Sequence, residues 1–117
     1  MKIHLFDKER DYQTVPAGQT LFHEGDDGAH MYAVIGGAVD IIVRGNVVET
    51  VEAGGVFGEM ALIEERKRSA TAITKAETKL VHIDHKRFLN LVAGNPYFAL
   101  QLMRIMAERL RRMDERL

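Results

Sequence analysis

The sequence contains no cysteine. Disulfides, thiolate metal ligands and a cysteine nucleophile are therefore excluded, and the absence fits a reducing compartment. No strong charge of one sign is present either. The formal net charge is −1, far from the basic balance of a nucleic-acid-binding domain. No apolar run approaches the roughly 20 residues that a membrane-spanning helix needs. The opening MKIHLFDKE carries four charges and no apolar core, so it does not read as a signal peptide. What remains is ordinary: 46% hydrophobic and 28% charged residues, enough for a packed core rather than disorder. At 117 residues the chain fits one domain that needs no covalent staples. The expectation is a soluble, cytoplasmic protein.

Residues 12–83 alternate short β-prone runs with turn signals. Candidate strands include 12–15, 20–23, 31–35, 38–43, 46–51, 69–75 and 78–83; with these seven named, about eight are expected at close spacing, as in a sandwich or barrel. Val39, Ile41 and Val43 share one face by period two. Gly45 and Asn46 read as a hairpin turn. The last third changes character. Asp84 is an N-cap candidate for a short helix over 85–92, ended by Ala93 and Gly94. Asn95 and Pro96 start a second helix with no breaker before Leu117. The fold expected is mainly β: an eight-stranded antiparallel, jelly-roll-like β-roll, then a short helix and a long C-terminal one over 96–117, all in one domain.

The stretch FGEMALIEERKRSATA, residues 57–72, is the most informative. Met60, Ala61, Leu62 and Ile63 after an acid suggest one helical turn, too short to be stable alone. First-turn N–H groups suit an anion such as phosphate, and Gly58 permits close approach. Glu59 would repel a phosphate. An ionised carboxylate accepts hydrogen bonds, however, so Glu59 suits a sugar hydroxyl. Arg68 supplies a guanidinium that forks onto phosphate oxygens. Ser69 offers a hydroxyl, the Ala70 backbone an N–H, and both are small enough to let a ligand sit against the strand. A cyclic nucleotide joins ribose and phosphate in one small body. Glu64, Glu65, Arg66 and Lys67 between the two ends read as a solvated tip with local pairing of the charges.

This stretch resembles the phosphate-binding cassette of the cyclic-nucleotide-binding domain, shared by the catabolite activator protein, protein kinase A regulatory subunits and gated channels. Pro16, Ala17 and Gly18, the run Phe22, His23, Glu24, Gly25 and Asp26, then Met31, Tyr32, Gly37 and Gly54 fall where that family places turn glycines and core residues. The resemblance covers roughly residues 12–117. It implies that Gly58 and Glu59 hold a ribose 2′-hydroxyl, and that the Ala61 N–H, Arg68, Ser69 and Ala70 hold the cyclic phosphate. It places pocket walls at Ile41, Val51 and Ala72, with Phe57 and Met60 beside them. It implies a lid from the C-terminal helix, with Arg109 as the candidate to stack on a purine. The alternative for Arg109 is a solvated charge beside Arg111, Arg112 and Arg116. There are departures. Gly55 stands where family members often carry an acid, and the usual N-terminal helical segment is largely missing. No helix-turn-helix follows, so direct DNA binding is not expected.

The resemblance implies a sensor rather than an enzyme, with cAMP as the expected ligand and cGMP left open. Ala99, Met103, Met106, Leu110, Met113 and Leu117 recur at heptad-like spacing. The early part of this stripe is expected to pack on the barrel, and residues 110–117 to form a homodimer seam; an unknown effector protein is a separate expected partner. A rival reading is a degenerate copy of the fold, kept as a dimerisation or interaction module. A second is a cupin-like metalloenzyme, disfavoured because His82 and His85 lack the His-x-His pattern.

Overall fold

A computed structural model describes residues 2–115, with side chains through Met113. The described residues form eight strands: β1 (Gln13–Val15), β2 (Thr20–Phe22), β3 (His30–Gly36), β4 (Ala38–Val43), β5 (Asn46–Glu52), β6 (Val56–Phe57), β7 (Thr71–Thr74) and β8 (Thr78–Asp84). The one-turn helix α1 (Met60–Ile63) lies between β6 and β7. Two longer helices, α2 (His85–Gly94) and α3 (Pro96–Glu115), follow. The strands form two four-stranded sheets, β1-β8-β3-β6 and β2-β7-β4-β5. Every pairing is antiparallel. The expected β-roll with C-terminal helices is the observed fold.

Side-chain alternation builds two cores around the first sheet. On β3, Met31 and Ala33 face one apolar cluster while Tyr32 and Val34 face the other. On β8, Val81 and Ile83 join the first cluster and Leu80 the second. The second cluster lies between the sheets and includes Val39, Val51, Phe57 and Ala72. The first lies under the helices, where Phe98, Leu102 and Ile105 of α3 meet Ile3 and Phe6 from the N-terminal segment. Those two residues lie ahead of the first expected strand. Their burial to 2% exposure shows that this segment closes the core without forming a helix.

Several local expectations shift. The hairpin between β4 and β5 turns on Arg44 and Gly45, one residue earlier than read, with φ of 51° and 80°. Positive φ at both central positions is the primed turn that suits strand twist. β7 is shorter than 69–75, so Ser69 and Ala70 lie in the loop before it. β6 has only two residues, too few for any alternation to show. α2 runs to Gly94, capped at its start by Asp84, whose carboxylate accepts from the Arg87 N–H at 2.8 Å. Asn95 accepts from the Phe98 N–H at 3.2 Å. The tip also differs. Arg66 pairs with Glu64, but Lys67 reaches Asp27 at 2.9 Å on the turn before β3.

α3 seats on the roll through a different stripe from the one expected. The stripe on the roll is Phe98, Leu102 and Ile105, at 0%, 3% and 5% exposure; of the expected stripe, Met106 packs partly buried against the same cluster while Met103 is 60% exposed. Both stripes run at three- and four-residue steps and are offset by one residue, about 100° around the helix. Spacing alone cannot choose between them. The Phe98 ring does, by meeting Phe6 and Phe88 edge to face. Leu117 lies outside the described residues.

Candidate functional site

A cavity of about 410 Å³ opens between α1, the segment 68–70, the β4–β5 hairpin and α3. It is lined by Gly58, Glu59, Ala61, Arg68, Ser69 and Ala70, so the two ends of the stretch converge as the sequence suggested. Phe57, Met60, Ile41 and Arg109 line it as well.

Val51 and Ala72 do not line it. Both are covered in the cluster between the sheets, at 3% and 0% exposure. Register gives the reason. Ile41 pairs with Glu49, whereas Val51 pairs with Val39, which is fully buried. Val51 shares its face with Glu49 by period two but lies two residue pairs deeper in the roll. A bulge follows, because Ile42 pairs with Val47 and Val48 is the extra residue. Val48 and Glu49 therefore both line the cavity. Sequence reading missed them, along with Phe22, Val43, Met106, Leu110, Arg112 and Met113. Sequence offered no usable signal for Glu49: register counted from the turn sets Val48 opposite Ile41, and only the bulge puts Glu49 there.

Arg68 is anchored by its backbone. Its N–H donates to Asp26 O at 2.7 Å, and its carbonyl accepts from the Gly25 N–H at 2.8 Å. The side chain is buried to 6% exposure. Nη1 donates to Gly58 O at 3.0 Å and Nη2 to His30 O at 2.7 Å. The guanidinium carbon lies 4.1 Å from the centre of the Phe22 ring, within cation–π range. Nε is buried with no partner. No carboxylate among the described residues lies within ion-pair distance of Arg68. Burial lowers its pKa from the usual arginine range, partly offset by Tyr32 and the more distant Asp26 and Glu59. The site thus holds a buried cation whose bonds go only to neutral carbonyls, an arrangement that favours an incoming anion.

Two glycines make room for that side chain. Gly58 has φ of 79°, and a Cβ there would fall 2.7 Å from Arg68 Nη1. At Gly28 a Cβ would fall 2.5 Å from Ala61 Cβ and 2.8 Å from Arg68 Nε. Gly28→Ala is expected to push Arg68 and α1 apart, costing about 1–3 kcal/mol of stability as overpacking does and weakening anion binding. Denaturant titration and a binding isotherm on the same variant check both; unchanged binding would show that Arg68 has room to move.

Glu59 is the N-cap of α1 but makes no side-chain cap bond. Its carboxylate turns to Arg109, whose Nη1 donates to Oε1 at 2.5 Å. Arg109 also donates through Nε to Glu49 Oε1 at 2.9 Å, through Nη2 to Glu49 Oε2 at 3.1 Å, and through Nη2 to Val56 O. Arg112 reaches Glu49 Oε1 at 3.5 Å. Burial by itself would lower the Arg109 pKa, but the charges and hydrogen bonds of Glu59 and Glu49 raise it above the usual arginine value. Arg109 is therefore no solvated charge. Its side chain is 21% exposed and its fork is engaged by carboxylates.

The profile described as cyclic nucleotide-binding domain matches residues 12–95. The chain belongs to the cyclic nucleotide-binding domain family. It is 32% identical over 107 residues to a CRP-like cAMP-activated global transcriptional regulator of Mycobacterium tuberculosis, covering 87% of this chain and 48% of that protein. The crystal structure of Thermus thermophilus catabolite activator protein superposes with a TM-score of 0.81 at 31% identity, covering 91% of this chain and 52% of that one. A structure described under a cyclic-GMP-dependent signalling pathway of bacterial phytopathogenesis superposes at 0.77 with 27% identity, covering 92% and 90%. The chain spans about half the length of the curated relatives it matches. As a cyclic nucleotide-binding domain, it carries its cassette in register: Gly58, Glu59, Arg68, Ser69 and Ala70 all face one cavity.

Among the described residues, no three His, Asp or Glu side chains could hold a metal together. His82 instead places Nε2 2.7 Å from Gln13 Oε1, and its ring packs on Tyr32 and His30. No helix among those residues is long and apolar enough to cross a membrane.

Proposed function

We propose that this domain is a cytoplasmic sensor for cAMP, without catalytic activity of its own. The observation that carries the reading is Arg68: a buried guanidinium in a cavity wall, with neutral partners only and a buried Nε that has none. A cyclic phosphate would supply the missing anion, with Ser69 and the Ala61 and Ala70 backbone beside it. Glu59 would accept from the ribose 2′-hydroxyl. The purine would extend toward Ile41, Val43, Val48 and the α3 side chains, an apolar end suited to a flat ring. The names of the matched regulators, which specify cAMP, support this ligand.

Signalling would run through α3. It supplies Met106, Arg109, Leu110 and Met113 to the cavity wall, so a ligand that prefers one α3 position shifts the balance between positions. Leu110 and Met113, 63% and 61% exposed, are also the described part of the proposed homodimer seam, and a separate effector protein would read the motion of α3. Calorimetric titration with cAMP, and with cGMP as competitor, tests the reading. Saturable heat from cAMP that cGMP matches only at higher concentration is expected. A folded protein that gives no heat with either nucleotide would leave the fold as an interaction module.

A further inference from the structure

Glu49 stands outside the cassette, 10 residues before Glu59, on the bulged strand β5. Its side chain is only 18% exposed, and it takes the two-pronged side of the Arg109 guanidinium, Nε on one oxygen and Nη2 on the other. Glu59 receives only the single Nη1 of the same group, on Oε1. The division has a chemical consequence. A carboxylate offers about four acceptor positions on two oxygens. One prong on Oε1 fixes the orientation of Glu59 and leaves acceptor capacity for a ligand hydroxyl. If both prongs went to Glu59, as an arginine–carboxylate pair prefers, that capacity would be consumed.

We propose that Glu49 is a positioning and specificity-determining residue for the ligand's ribose: it draws the fork of Arg109 away from Glu59, so that Glu59 can read the 2′-hydroxyl. This rests on the reading of the cavity as a cyclic-nucleotide site. Glu49 touches no ligand in this role and acts through Arg109 on Glu59. Without its charge, Arg109 has Glu59 as its remaining carboxylate partner and closes on it.

The test compares cAMP with 2′-deoxy-cAMP, which keeps the phosphate and the base. For the wild type, the hydroxyl is expected to contribute roughly 10- to 100-fold in affinity, the range for a hydrogen bond to a charged group. In Glu49→Gln, which keeps size and shape, the preference is expected to fall to a few-fold, with cAMP losing affinity and 2′-deoxy-cAMP changing little. Arg109→Lys gives a second reading from the other partner, because lysine is a point charge that cannot divide a fork between two carboxylates; the same loss of preference is expected. A general loosening of the fold would weaken both nucleotides together and leave their ratio unchanged. An unchanged ratio in either folded variant overturns the role of Glu49 alone. No binding of cAMP by the wild type overturns the reading of the cavity, and this role with it.

Discussion

Arg68→Ala is expected to weaken cAMP binding by about 30- to several-thousand-fold, roughly 2–5 kcal/mol, as when one partner of a buried charge pair is removed. The structure shows why the loss should fall on binding more than on folding. Without ligand, the guanidinium bonds to Gly58 O and His30 O and stacks on Phe22. Its removal strands two carbonyls, but it also removes a buried charge that has no counterion. These effects oppose one another, so the unliganded fold should change by only about 1–2 kcal/mol. Arg68→Lys would keep a charge but lose the fork and the planar stack on Phe22, so most of the affinity should also be lost. Titration and urea unfolding on the same samples separate the two quantities. An Arg68→Ala protein that binds cAMP as tightly as wild type would remove the phosphate clamp.

Phe98→Ala is expected to cost about 3–5 kcal/mol of stability, as for a fully buried aromatic ring. Phe98 has no exposed surface and meets Phe6 and Phe88 edge to face, so its removal opens the cluster that joins the N-terminal segment, α2 and α3. Met103→Ala, five residues on along the same helix, should stay within about 0.5 kcal/mol, as surface substitutions do. The contrast decides which stripe of α3 seats it on the roll. Equal losses from the two substitutions, measured by urea denaturation, would contradict the placement of the helix. The consequence reaches the site, because α3 brings Arg109 to Glu59 and Glu49.

The cassette was legible for a local reason. Gly58, Glu59, Arg68, Ser69 and Ala70 lie within 13 residues, and each type has a narrow chemical use. Fold class was legible from the repeat of short β-prone runs and turns. The caps at Asp84 and Asn95 were legible because a cap is a contact between near neighbours in sequence. The depth of the cavity was less so. Val51 and Glu49 share a face by period two, and only the pairing with Val39 or Ile41 separates a core position from a cavity wall. Ala72 fails as a wall for a different reason: it pairs with the wall residue Ile41, but its small side chain is wholly covered in the cluster between the sheets.

Short-range pattern was enough for the β-roll with its helices and for singling out Glu59 and Arg68, because both rest on patterns that run over a few neighbouring residues. Tertiary structure decided which face of α3 is buried, and it brought Arg109 to Glu49 and Glu59 across 60 and 50 residues of chain. A carboxylate and a guanidinium that far apart leave no periodic signal. Their meeting depends on where the helix docks, and Phe98, Leu102 and Ile105 fix that docking by burying their side chains against the roll.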